Sequence, residues 1–303
     1  MAIIGLFFDS VPVVRFSIWL GAPLSVETEM GTPLHMSGLA EKDAIFFLNA
    51  GVPINQKNSS GETPLHAQIK FRQPCRPDSI CFTGEAKTIK VLLDHGALVN
   101  LKDKNGKTPL MASMHPLINL ATIQALLKFG GDPNLKTNMG SSVLKYLLHF
   151  YPRTDTQRNS RLLWEAEKQY EILKLLLEHS VAMDLPDQYG NTPLHWAVNS
   201  EASSQTIRLL LEKGFTGKEV GFNGWTPIGF AAYRGFAEPV KVMIESGVDP
   251  NFKIGSGPTL LDLAIQGKKK NFPGSEEACK MLLQFGARSS TIALETASGT
   301  FGH

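Results

Sequence analysis

The tetrad Thr-Pro-Leu-His, or a close variant, returns along the chain at Thr32, Thr63, Thr108, Thr192 and Thr226, with degenerate copies around Ser142 (GSSVLKYL) and Thr259 (GPTLLDLA). The steps between these seven anchors are 31, 45, 34, 50, 34 and 33 residues. Four lie near one common period and two carry insertions. Such a chain is built from copies of one small unit, each too small to bury its own apolar face, so each must seal its core against its neighbours.

Glycine-bearing turns precede the anchors, such as DKNGK before Thr108, DQYGN before Thr192 and GFNGW before Thr226, and imply tight chain reversals. After each anchor the pattern predicts a short apolar helix. Threonine caps it, and proline fills the first turn, where a missing N–H costs nothing. Pro33, Pro64, Pro109, Pro193 and Pro227 hold that place. A second amphipathic helix follows, as in TIRLLLEKG and EILKLLLEHS, and stops where a left-handed cap is wanted. Gly51, Gly96, Gly130, Gly214, Gly247 and Gly286 supply that stop, with Ser180 the departure.

This pattern resembles the ankyrin repeat, and GNTPLHWAV and SGVDPN match its consensus closely. The resemblance implies an all-α ankyrin-repeat solenoid of paired helices with hairpin-like finger loops, about seven repeats plus an N-terminal capping unit. The expected organisation is a capping repeat over 1–26, repeats over 27–290 starting near 27, 58, 103, 137, 187, 221 and 254, and a tail over 291–303. Insertions are expected near 71–87 and 151–170, the second continuing into a lengthened helix that carries Trp164. The unit at Ser142 has lost the Thr-Pro pair and is expected to be the weakest link.

The resemblance further implies a non-catalytic adaptor that binds a protein partner through its concave face and fingers. It also implies that His35, His66 and His195 tie neighbouring loops together by hydrogen bonds. His95 and His179, at the ends of second helices, suit the helix dipole. The expected partner-binding residues are Tyr189, Asn191, Asn199, Phe222, Asn223, Trp225, Tyr233, Arg234 and His149, because these are finger and first-helix positions that packing leaves free. Tyr, Trp and Arg are also the types enriched at interface hot spots. His115 is a further contact of the same kind. Trp225 and Phe222 have a second reading, in which they pack between adjacent fingers.

Chemistry-bearing patterns are sparse. No phosphate loop, GxSxG or HExxH is present, no catalytic residue is assigned, and no cofactor, metal or small-molecule ligand is expected. Cys75, Cys81 and Cys279 form no zinc-like pair and read as free thiols of a reducing compartment. The net charge of +2 gives no electrostatic case for nucleic acid or an anionic membrane. The run GKKKNFPG reads as a solvated loop, with contact to an anionic surface as its alternative. The apolar start MAIIGLFF lacks a basic leader region, so a cytoplasmic protein is expected. The competing class is a bacterial effector in a host cytosol, with an active site built on the insertions.

Overall fold

The computed structural model describes residues 31–36, 38–70, 85–114, 120–149, 161–183 and 186–290, with only the backbone for Lys70, Glu85 and 161–166. The expected capping repeat, the tail, Cys75, Cys81, His115, the side chain of Trp164 and residues 71–84 and 151–160 of the two insertions lie outside the described residues.

The described residues are helical, with no strand beyond an isolated bridge between Lys253 and Thr259. First and second helices alternate in chain order. The first anchor yields only a 3-10 turn, Pro33–His35, followed by α1 (Glu41–Asn49). Then come α2 (Pro64–Lys70) with α3 (Glu85–Asp94), α4 (Pro109–Ala112) with α5 (Leu120–Lys128), and α6 (Val143–His149) with α7 (Arg161–Glu178). The remaining pairs are α8 (Pro193–Asn199) with α9 (Ser204–Glu212), α10 (Pro227–Arg234) with α11 (Ala237–Glu245), and α12 (Leu260–Lys269) with α13 (Ser275–Gln284).

Residues cluster into two compact units. The first is Met1–Tyr146 with Lys174–Val181, and the second is Leu147–Leu173 with Ala182–His303. In the first, α2 packs on the 3-10 turn and on α4, while α3 packs on α1 and α5. In the second, α10 lies between α8 and α12, and α11 between α9 and α13. Within each unit, therefore, like helices stack on like and seal their apolar sides against one another. Leu34, Leu65, Leu110, Leu144, Leu194, Ile228 and Leu261, at equivalent places after the anchors, are at most 3% exposed.

Local chemistry fixes the boundaries. Thr108, Thr226 and Thr259 accept a backbone N–H in the first turn of the following helix, at 3.1–3.3 Å. All six glycine stops adopt positive φ, and Ser180 takes φ 56° in the same role. At Ser142, where the weakest repeat is expected, Oγ still accepts the Lys145 N–H at 3.3 Å, and Val143, Leu144, Leu147 and Leu148 are essentially inaccessible.

Candidate functional site

Three sets of polar bonds hold the fingers in place. His35, His66 and His195 are buried, and the Nδ1 of each accepts the backbone N–H of its anchor threonine at 2.9, 3.3 and 3.0 Å. Nε2 must then carry the proton. It donates into the next finger, to the carbonyls of Glu62, Lys107 and Trp225 at 3.0, 3.0 and 3.1 Å. Burial pushes all three imidazoles below their ordinary value, against the opposing pull of those carbonyls.

Asp262 takes the histidine's place in the last anchor. One oxygen accepts the Thr259 N–H at 3.0 Å, and the carboxylate also gathers Ser289 Oγ, Ser290 N–H and Ser290 Oγ. Burial alone would raise its pKa, but these donors hold it far below the usual carboxylate range.

A second set recurs four residues after the glycine stops. The side-chain amides of Asn55, Asn100 and Asn251 donate to the carbonyls of Gly96, Gly130 and Gly286, while their Oδ1 atoms accept the N–H groups of Leu98, Asp132 and Arg288. Asn134 reaches the Ser180 carbonyl in the same way. Each asparagine thus ties one stop to the next.

The third set joins fingers directly. Within the first unit, the Lys104 and Asn138 N–H groups donate to the carbonyls of Ser60 and Asn105, and Lys57 and Lys102 reach the carbonyls of Lys102 and Lys136.

The second unit departs from this scheme between Tyr189 and Phe272. The 221–225 finger opens with Gly221, where earlier fingers open with Asn58, Asp103, Thr137 and Asp187. A Cβ on Gly221 would stand 2.5 Å from Asn191 Oδ1 and 2.6 Å from His195 Nε2. With that space open, Asn191 Oδ1 accepts the Phe222 N–H across the fingers at 3.0 Å. Tyr189 and Phe222, each 53% exposed, meet edge to face at 5.3 Å. Asn223, at the tip, is exposed with φ 54°.

Inward from the tips, Trp225 contacts Phe230 at 6.0 Å and Tyr233 at 5.2 Å, and Tyr233 contacts Phe272 at 5.3 Å. The Arg234 guanidinium lies among Phe272, Phe236 and Phe230, with Cζ 4.9, 5.6 and 5.9 Å from the ring centres.

The sequence-selected residues therefore fall into two groups. Tyr189, Asn191, Phe222, Asn223, Trp225, Tyr233 and Arg234 belong to this one region, though Asn191, Trp225, Tyr233 and Arg234 are half-buried rather than fully solvent-facing. Trp225 packs against α10, where Phe230 and Tyr233 offer it two aromatic rings. His149 and Asn199 pair separately, Nδ2 to Nδ1 at 3.5 Å, with His149 exposed.

Phe230, Phe236 and Phe272 escaped the sequence reading. Phe230 sits at an ordinary apolar position of α10, Phe236 in the short connection between α10 and α11, and Phe272 in the loop after the lysine run. His95 and His179 bond the carbonyls of Val91 and Leu175 at their helix ends.

Among the described residues no three His, Cys, Asp or Glu side chains come together as metal ligands. No described helix is long and apolar enough to cross a membrane. Burial raises the half-buried Cys279 thiol. An open groove of about 450 Å³ between α11 and α13 is lined by Glu238, Lys241, Glu277 and Lys280 around Met281 and Phe285.

Comparison with known proteins yields one consistent likeness. A family profile described as ankyrin repeats (3 copies) matches residues 136–221. The ankyrin repeat domain-containing protein SAT10 of Stachybotrys chartarum is 30% identical over 234 residues, 76% of this chain and 10% of that protein. Dog inversin is 28% identical over 247 residues, 78% of this chain and 20% of inversin. The chain thus spans a tenth to a fifth of the length of these relatives.

Among solved structures, the human ASB11 ankyrin repeat domain aligns with a TM-score of 0.60 and 22% identity, covering 84% of this chain and 97% of that one. The ankyrin repeat domain of Bcl-3 aligns with a TM-score of 0.53 and 20% identity over 82% and 92%.

Proposed function

We propose that this chain, an ankyrin-repeat protein by sequence and fold, is a non-catalytic adaptor that takes its protein partner on the fingers and first helices between Tyr189 and Phe272. Ankyrin repeats generally mediate protein–protein interaction and serve as scaffolds rather than enzymes.

The observation that carries the reading is the concentration of aromatic rings on one side of the second unit, with Tyr189 and Phe222 each 53% exposed and touching. Large exposed rings cost free energy in water, and a protein surface covering them recovers it. The rings are already held by Asn191, by Gly221 and by one another, so little ordering entropy opposes binding.

A photo-crosslinking residue at Tyr189 or Phe222, compared with one at exposed Lys213 at the end of α9, tests the placement. Partner adducts from cell extract are expected at the first two sites and not at the third. Trp225→Ala with Tyr233→Ala is expected to abolish the adducts. Melting curves on the same samples separate lost contact from lost folding. Adducts at Lys213 alone, or undiminished adducts in a folded double variant, eliminate the site.

A further inference from the structure

Arg234 is the one cation of the aromatic region that the fold encloses without neutralising. It makes no hydrogen bond or ion pair with any described residue, and its Nε is buried with no acceptor. Three rings surround it, and rings attract a cation without satisfying its N–H groups.

The enclosure is a built feature. Phe272 belongs to a loop inserted between α12 and α13, and the loop reaches Arg234 because three glycines let backbone approach backbone. A methyl on Gly267 would overlap the Tyr233 carbonyl oxygen, one on Gly235 would stand 2.5 Å from Ser275 N, and one on Gly274 would stand 2.6 Å from the Gly235 oxygen. Lys268 and Lys269 end α12, Lys270 opens the loop that carries Phe272, and all three are exposed. Lys270 lies two residues from Phe272, at most about 8 Å along the backbone. The region is therefore apolar at its walls, positive at one end, and carries an unused planar fork.

We propose that Arg234 is the specificity-determining residue of this surface, and that the partner presents an acidic peptide segment. A glutamate or aspartate carboxylate of that segment pairs with the Arg234 guanidinium, and a neighbouring apolar side chain lies on Trp225 and Tyr233. The inference deepens the adaptor reading and rests on it. Arginine matches a carboxylate through paired N–H donors, whereas lysine offers only a point charge. The ring walls lower the local dielectric and strengthen that pair. Further acidic residues of the segment fall toward Lys269 and Lys270, which speeds encounter more than it tightens the complex.

The test pans a random 12-residue phage-displayed peptide library on the full chain, then measures synthetic versions of the enriched peptides on variants. Enriched sequences are expected to share an Asp or Glu beside an aromatic or aliphatic residue. Arg234→Gln is expected to weaken them about 10- to 100-fold, the range for losing a charge-assisted pair. Arg234→Lys is expected to fall between, and Glu→Gln in the peptide should match the loss without touching the protein fold.

Enriched peptides without an acid that still depend on Phe222 and Trp225 overturn this inference and leave the adaptor site standing. Peptides indifferent to both substitutions, or no enrichment at all, overturn both readings. Arg234→Gln that lowers melting while leaving affinity unchanged assigns Arg234 to holding the loop and overturns the inference. Preference for a phosphoserine peptide over its glutamate counterpart does so as well.

Discussion

The two compact units solve one problem with different chemistry. In the first, finger meets finger through backbone amides and lysine-to-carbonyl bonds, and asparagines after successive glycine stops tie one stop to the next. In the second, the 187–191 and 221–225 fingers meet through a ring pair and a single asparagine, and Lys218 stands where the asparagine of other units would be. Lys218 instead lies 5.7 Å from the Phe252 ring. Polar ties satisfy donors and acceptors internally and leave little for a partner. Aromatic ties leave ring faces and edges open, which is why the proposed recognition surface is set on the aromatic unit.

The largest expected effect comes from breaking the aromatic unit at Gly267. Any side chain there drives into the Tyr233 carbonyl, so α12 must move away from α10 and carry Phe272 with it. Overpacking against backbone costs about 3 kcal/mol or more, and Gly267→Ala should lower the urea midpoint of the second unit's transition well below the first's. Gly96→Ala, which meets nothing within 4 Å, should cost only about 1 kcal/mol, from its positive φ. Equal losses would mean that the tight α10–α12 contact is not what organises this end.

Acidity is the next lever, and it acts on both units. His35 and His66 belong to the first, His195 to the second, and burial lowers all three. As pH falls through the unfolded-state value of about 6.5, the unfolded chain takes up protons before the folded one does. Their contribution is therefore complete above that pH and is lost below it, by at most about 1.4 kcal/mol per histidine per pH unit.

Urea midpoints between pH 7.5 and 5.5 should fall more for the first unit, which has two such histidines. Asp262 adds a separate loss to the second unit: its stabilisation is full above the unfolded carboxylate value of about 3.9 and fades as pH drops beneath it. A first unit that gained stability on acidification would refute the neutral, Nε2-protonated assignment.

Much of this was legible in the sequence, because the repeat couples each local signal to one structural role. Pro64 and Pro227 mark first turns and the glycine stops mark second-helix ends, since proline's fixed φ and glycine's positive φ are local requirements. At Ser142 the lost proline argues for a weaker repeat, while serine is itself a preferred cap and its helix stays buried.

The site was legible only in part. Tyr189, Phe222 and Trp225 stood out by type, but the setting of Arg234 depends on Phe272, which arrives across two repeat elements through glycine contacts that no local pattern encodes. The asparagine ties were visible as a motif, yet their bonding role appears only when the next stop is placed beside them.

Those ties allow the difference between the units to be edited. Asn100→Ala removes an amide donor to Gly130 and an acceptor for Asp132, and should cost the first unit about 1–2 kcal/mol. Lys218→Asn places the same donor and acceptor four residues after Gly214, beside the Gly247 stop, and should gain the second unit about 0.5–1 kcal/mol. Opposite signs in denaturant midpoints are the expected result. If Lys218→Asn destabilises, then the local bonds of Thr216 to Glu219 at 2.6 and 3.0 Å, and not the missing asparagine, set the conformation there.

The smallest effect probes the ring pair that replaces those ties. Tyr189 and Phe222 are more than half exposed, so each loses little apolar burial when truncated. A double-mutant cycle of Tyr189→Ala and Phe222→Ala should give a coupling of about 0.5 kcal/mol, the low end for an edge-to-face pair. The same cycle run on partner or peptide affinity should give losses several-fold larger, because a covering surface desolvates both rings at once. Stability and binding would then respond in opposite proportion to the asparagine variants, which alter folding and leave affinity nearly unchanged. A coupling above about 1.5 kcal/mol in the free protein would instead make the pair a structural clasp, and the contrast between a polar framework and an aromatic recognition surface would fail at its most exposed point.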